Sequence, residues 1–206
     1  MSNDSLAGRA AQKADTRRRI LEKAKVLCAR HGFARTRTVD VARAARVSHG
    51  SVFVHFPSRD DLFDAVLFEM AREITDALHA LATEGASLRE VLAAHLECLA
   101  DREDQIRWLL VDAPVLPESF RLAWVSLQSA ISFHVSAAAE REMASGKVRR
   151  MPLHLLFNTW IGLVNHYVVN RELFAPGKSV LRTHGRMLLD HFLGLVETND
   201  RKGEGR

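Results

Sequence analysis

The chain has 206 residues, 47% of them apolar, with 29 Lys+Arg against 25 Asp+Glu for a formal net charge of +4. That apolar share excludes a disordered polymer, and five prolines, eleven glycines and one tyrosine amid abundant Ala, Leu and Arg favour helices over sheets. No apolar run nears the roughly 18 residues that span a bilayer. The polar start Met1–Lys13 carries no export signal, and two cysteines, Cys28 and Cys98, exclude a disulfide scaffold and fit a cytoplasmic setting.

The charge is unevenly divided. Residues 1–60 hold 13 Lys+Arg and 5 Asp+Glu, a net +8, whereas the remaining 146 hold 16 and 20, a net −4. A basic head on a mildly acidic body is the footprint of a phosphate-binding module joined to a domain that works on something other than nucleic acid.

In chain order, residues 1–14 read as a flexible arm. Asp15 or Thr16 can cap a first helix that carries Ile20, Leu21, Ala24, Leu27 and Cys28 on one face and stops at Gly32, after which Phe33 folds back. Thr38 can cap a short helix, Val39–Ala45, and Ser48 a second one reaching about Phe56, where Pro57 ends it. Ser58 caps a long helix, about Arg59–Thr83, with the stripe Leu62, Phe63, Val66, Met70, Ile74, Ala77 and Leu81. Further helices follow at about 87–101, 105–111, 117–145, 152–173 and 178–197, punctuated by Pro and Gly, and a polar tail covers 199–206. The domain reading is a DNA-binding head over 15–57 and a body over 58–198.

Two stubby helices joined by a tight turn need a shared core. Val39, Ala42, Val47, Val52 and Phe56 supply it, braced by Ile20, Leu27 and Phe33. The second helix then offers Ser48, His49, Ser51, Val54 and His55 outward, with Gly50 permitting close backbone approach. Small polar groups at a helix start, in the most basic part of the chain, suit a major groove.

The run Thr38–Phe63 (TVDVARAARVSHGSVFVHFPSRDDLF), preceded by Ala29-Arg30-His31-Gly32-Phe33, resembles the DNA-binding head of the TetR family of transcriptional repressors. The resemblance covers roughly residues 16–63; beyond them it rests on helix number and order. It implies an all-α fold, with a three-helix head and a six-helix ligand-binding and dimerisation body. It also implies that Arg37 and Thr38 touch phosphate, that Ser48, His49, Gly50, Ser51 and Val52 face base edges or the groove wall, and that His55 and Arg59 clamp phosphates. Two positions depart from the pattern. Arg46 stands where Gly is usual, which puts a non-Gly residue at positive φ and adds a cation near the backbone. Phe53 stands where Tyr is usual, which removes one hydroxyl–phosphate bond.

In the body, the 152–173 segment is apolar almost all round, with Phe157, Trp160, Ile161, Val164 and Val168. Leu181, Gly185, Leu188 and Phe192 form a stripe on the last helix. Two copies of that helix pair in a four-helix interface would cover both, and a two-fold dimer would read a palindromic operator on double-stranded DNA. Trp108, Trp124, Gln128 and Asn158 are the candidates for a small-molecule effector site: apolar walls with a few polar anchors. His95 and Cys98, at i and i+3, could share an ion, but no third ligand has suitable spacing, so no metal is expected. Gly177-Lys178-Ser179 mimics the end of a P-loop, yet Glu172 stands where its first glycine should be. No cofactor fingerprint or catalytic motif is present, so the expectation is a regulator and not an enzyme. A DNA binder without a small-molecule effector is the alternative.

Overall fold

The computed structural model describes residues 2–81, 85–116 and 118–198. Ten α-helices and one 3₁₀ turn are seen among them: α1 Ser2–His31, α2 Thr38–Ala45, α3 His49–His55, α4 Arg59–Leu81, α5 Leu88–Ala100, α6 Glu103–Asp112, the 3₁₀ turn Ala113–Val115, α7 Glu118–Ala144, α8 Leu153–Val169, α9 Arg171–Phe174 and α10 Val180–Val196. The tail 199–206 lies outside the described residues. The expected free arm over 1–14 is instead helical from Ser2, because Ala7, Arg9, Ala10, Ala11, Gln12, Lys13 and Ala14 are strong helix formers with only Gly8 against them.

The chain divides into two compact units, one of residues 1–71 and 108–123, the other of 72–107 and 124–206. The sequence pattern puts the boundary at residue 57. It falls later because the first half of α4 belongs to the core of the head: Leu62, Phe63, Val66 and Met70 are buried, and Phe63 meets Phe33 edge-on with ring centres 5.7 Å apart.

In the first unit α1 packs on α2, and α2 on α3. Gly32, at φ +85°, ends α1 by donating to the Cys28 carbonyl at 2.9 Å, and the Thr36 hydroxyl donates back to the Gly32 carbonyl at 2.6 Å. The core holds Ile20, Ala24, Cys28, Phe33, Val41, Ala42, Ala45, Val52 and Phe56. Val39, expected inside, is 40% exposed, while Leu27 and Val47 are half-buried. The helix begins at Thr38, one residue earlier than expected, and that phase turns Val41, Ala42 and Ala45 inward. Arg46 ends α2 in the left-handed region at φ 55°, ψ 47°, as the missing glycine implied, and is the one non-Gly residue with positive φ among those described. Ser48 caps α3 through the Ser51 N–H at 3.1 Å. Ser58 and Asp61 cap α4 reciprocally, each accepting the other's backbone N–H, at 3.0 and 2.9 Å.

In the second unit Ser87 and Glu90 form a capping box on α5, and α10 packs on both α5 and α8. The 152–173 helix expected from the sequence is two helices. It is interrupted at Asn170, whose side-chain amide (2.9 Å) and backbone N–H (3.1 Å) both donate to the His166 carbonyl. Trp160, Val164, Val168, Leu181, Gly185, Leu188 and Phe192 are buried within this one unit, with Phe157 and Ile161 at its edge. The packing of α10 on α5 and α8 makes them core residues of this unit, and a Cβ on Gly185 would touch Leu96 at 3.6 Å. The outward faces of α8 and α10 carry Leu155, Thr159, Gly162, His166, Met187, His191 and Leu195.

The buried centre of this unit is polar at one point. The Trp160 indole N–H donates to His95 Nδ1 at 3.0 Å, so the proton of this imidazole sits on Nε2. Burial pushes the His95 pKa down from 6.5 to about 4. The fold therefore holds the neutral ring, and the unfolded chain takes up a proton first as pH falls. Stability from this group is present above about pH 6.5 and is lost between there and pH 4, by at most about 3 kcal/mol. Urea titrations across that range should show wild type losing more stability than His95→Gln, which cannot titrate. Parallel losses in the two proteins would contradict the assignment.

Candidate nucleic-acid interface

α3 is held from below and bare above. Val52 is fully buried, so it anchors the helix and does not face a groove as expected; Ser48, the cap, fixes its start. One turn of backbone separates Val52 from the exposed row. That row is Ser48, His49, Gly50, Phe53 and Val54, with Ser51 and His55 half-buried beside it. A Cβ on Gly50 would meet nothing within 4 Å, so this surface is open to another backbone. Val54 (69% exposed) and Phe53 (39%) place apolar groups where a thymine methyl can be met.

α2 and α3 are tied at their starts. The Thr38 hydroxyl and His49 Nε2 lie 2.9 Å apart, and the His49 ring stands edge-on to Phe53 with centres 5.1 Å apart. Thr38, expected to cap α2, is instead its first helical residue, with Arg37 as a backbone-only cap, and its hydroxyl is spent on His49. Arg37 and Arg46 are exposed. Arg19 adds a brace, its Nε donating to the Ala45 carbonyl at 3.0 Å.

His55 closes the row at the end of α3. Its Nδ1 is buried and has no hydrogen-bond partner. Its pKa is lowered, first by burial and then by the cations of Lys13 and Arg17. A neutral imidazole can still donate to a phosphate oxygen. Arg59, expected to clamp a phosphate, is exposed and also engaged within the head. Its Nη2 donates to the carbonyls of Phe33 (2.8 Å) and Ala34 (3.3 Å), and its guanidinium lies over the Phe63 ring at 4.4 Å. It secures the α1–α2 turn.

Sequence reasoning missed Asp112, whose Oδ2 accepts the Ala34 N–H at 3.1 Å on the other side of that turn. No spacing rule links positions 78 residues apart. It also missed Lys13, which fell within the expected arm over 1–14, and Arg17 at the start of the first helix; their i, i+4 spacing was the available signal.

The four effector candidates fare unequally. Trp108 belongs to the first unit, near Gly32 and with Arg35 over its ring at 5.9 Å. Asn158 is exposed on α8, so it does not line a cavity in this unit as expected. Trp124 and Gln128 are half-buried on α7 in the second unit. That unit also holds a groove of about 550 Å³ between α5 and α10, bordered by Leu96, Asp101, Leu181, Arg182, Gly185 and Leu189. Among the described residues no three His, Cys, Asp or Glu side chains converge as a metal site, and no helix is long and apolar enough to cross a membrane.

The model of the bacterial regulatory proteins of the tetR family matches residues 20–66, which spans the second half of α1, the two short helices and the start of α4. Those residues carry a tetR-family DNA-binding head. A curated relative, the HTH-type transcriptional repressor AcnR of Corynebacterium glutamicum, is 28% identical over 91% of this chain and 94% of its own length. The HTH-type transcriptional repressor Rv3405c of Mycobacterium tuberculosis is 42% identical over 60 residues, 29% of this chain and 32% of that protein. Among solved structures, a TetR-family transcriptional regulator from Agrobacterium tumefaciens superposes with a TM-score of 0.75 over 90% of this chain and all of its own, at 20% identity. The matched head and these likenesses support a helix-turn-helix transcriptional regulator.

Proposed function

We propose that the protein is a homodimeric repressor that holds a palindromic operator through α3 and releases it when a small molecule binds the body. The observation that carries this reading is the bare, capped recognition helix on a head with eight excess positive charges, since that surface has no role within the folded chain. One such helix reads few bases, so specificity calls for a second copy. The outward faces of α8 and α10 suit self-association. Leu155, Met187 and Leu195 on them are about half exposed, and Gly162 and Gly194 would let helices approach closely. Support for an effector comes from half-buried Trp124 and Gln128 on α7 and from the habit of the family.

Selection of bound DNA from a random duplex pool tests the reading. The expected product is an inverted repeat, bound with an affinity that falls by orders of magnitude between low and physiological salt. A His49→Ala protein should select a different repeat, whereas Met187→Arg with Leu195→Arg should elute as a monomer and bind the repeat weakly. Recovery of random sequence at low salt would refute the proposal, and an operator complex indifferent to every small molecule screened would favour the effector-free alternative.

A further inference from the structure

The N-terminal half of α1 has no assigned role, and it lies beside the end of the recognition helix. Arg17 is stacked on Phe56, the residue that ends α3, with its guanidinium 4.6 Å from the ring centre. Lys13, one turn earlier, is near enough to act electrostatically, together with Arg17, on His55. Arg9 continues the row at the same i, i+4 spacing, so three cations follow one edge of a regular helix. Asp15 pairs with Arg18 and Arg19, and Glu22 with Arg18. On its other side Arg17 borders Asp64 and Glu69 of α4, so the row grows less shielded toward Lys13.

We propose that this row is a second DNA-gripping element, in which Lys13 and Arg17, continued by Arg9, hold the phosphate backbone outside the base pairs read by α3. Eight helical residues rise about 12 Å, the axial length of three to four base pairs. The row therefore reaches DNA flanking each half-site. His55, the last residue of α3 and within the field of Lys13 and Arg17, lies between the reading helix and the gripping one. Phosphate contacts of this kind set affinity and register without choosing sequence. The family model begins at residue 20, so nothing in it describes these positions. The inference rests on the DNA-binding reading above.

The test uses the full chain and two duplexes: the selected repeat trimmed to its ends, and the same repeat with six flanking base pairs on each side. On the flanked duplex, Arg9→Ala/Lys13→Ala should reduce the slope of log affinity against log salt by about 2 per head. Affinity at physiological salt should fall about 10- to 100-fold, by the same factor for every repeat tested. Hydroxyl-radical protection of the flanks should vanish, and on the trimmed duplex variant and wild type should converge. Lys23→Ala, exposed on a different face of α1, should match wild type throughout. A chain lacking residues 2–12 provides a second measurement should the double variant fold poorly. Equal salt slopes and equal flank protection in wild type and variants would overturn the inference alone. Failure of wild type to bind any duplex at low salt would remove the DNA-binding reading and this inference with it.

Discussion

Gly32→Ala should destabilise the first unit by about 2–4 kcal/mol and lower its melting midpoint by roughly 8–15 °C. Two independent costs add at this position. A residue with a Cβ at φ +85° is strained, which costs about 1 kcal/mol. The new Cβ would also stand 2.7 Å from Asp112 Oδ2 and 2.9 Å from Trp108 Cε3. Neither neighbour can withdraw cheaply: Asp112 holds the Ala34 N–H, and the Trp108 ring is large and flanked by Arg35. The control is Gly146→Ala, which has a φ of +77° but open space around it. It should cost only the strain, about 1 kcal/mol. Thermal melts of both proteins check the comparison; equal shifts would mean that the packing of Asp112 and Trp108 under the turn contributes nothing. Because Phe33 and Ala34 follow Gly32 directly, the variant should also lose DNA affinity in excess of its loss of folded fraction.

Glu103→Ala should cost the second unit about 3–5 kcal/mol, the penalty for stripping several buried donors of their acceptor. The carboxylate is 5% exposed and sits at the start of α10. Its Oε1 accepts the Val180 N–H at 3.0 Å, and its Oε2 accepts the Leu181 N–H at 3.0 Å and the Ser179 hydroxyl at 2.6 Å. A helix start carries partial positive charge, so an anion here is stabilised by the dipole as well as by the bonds. Arg171 stands 4.0 Å away and is shared with Asp104 and Glu172, so its own pairing survives the substitution. Glu103→Gln keeps two acceptor lone pairs but loses the charge and brings a donor toward other donors; it should fall between wild type and Ala. Urea unfolding of the three proteins orders them. If Gln and Ala were alike and both close to wild type, the carboxylate would not be holding α10.

What could be read from the sequence divides along a physical line. The head was legible because its determinants are local: Ser48 and Ser58 cap within three residues, Pro57 stops α3, and the short turn forces Arg46 to positive φ. The helical pattern of the body was legible for the same reason. Side-chain destinations were less so. An apolar residue advertises burial without naming its partner, so Trp160 and Phe192, one against the other with ring centres 5.2 Å apart, were indistinguishable in advance from an interface between copies. Arg59 and Asp112 show the same limit for polar groups. A guanidinium shortly after a recognition helix looks like a phosphate contact, and only the fold places the Phe33 and Ala34 carbonyls within its reach. The end of α8 at Asn170, where side chain and backbone both donate to the His166 carbonyl, likewise carries no sequence mark that distinguishes a break from a surface position.

On the function proposed above, with His49 facing the operator, its bond to Thr38 bears on how quickly and how faithfully that operator is recognised. A free imidazole on an exposed helix samples several rotamers, and halting it at the groove would subtract from the affinity for every site, right or wrong. Here the ring is already parked by a neighbouring hydroxyl and by Phe53, so that loss of freedom occurs when the chain folds. With Nε2 occupied, Nδ1 is the nitrogen left to query a base edge, and the hydroxyl's own proton decides whether it offers or receives. Mispaired sites then meet a stiff probe that cannot adapt to them, and discrimination sharpens without any added contact.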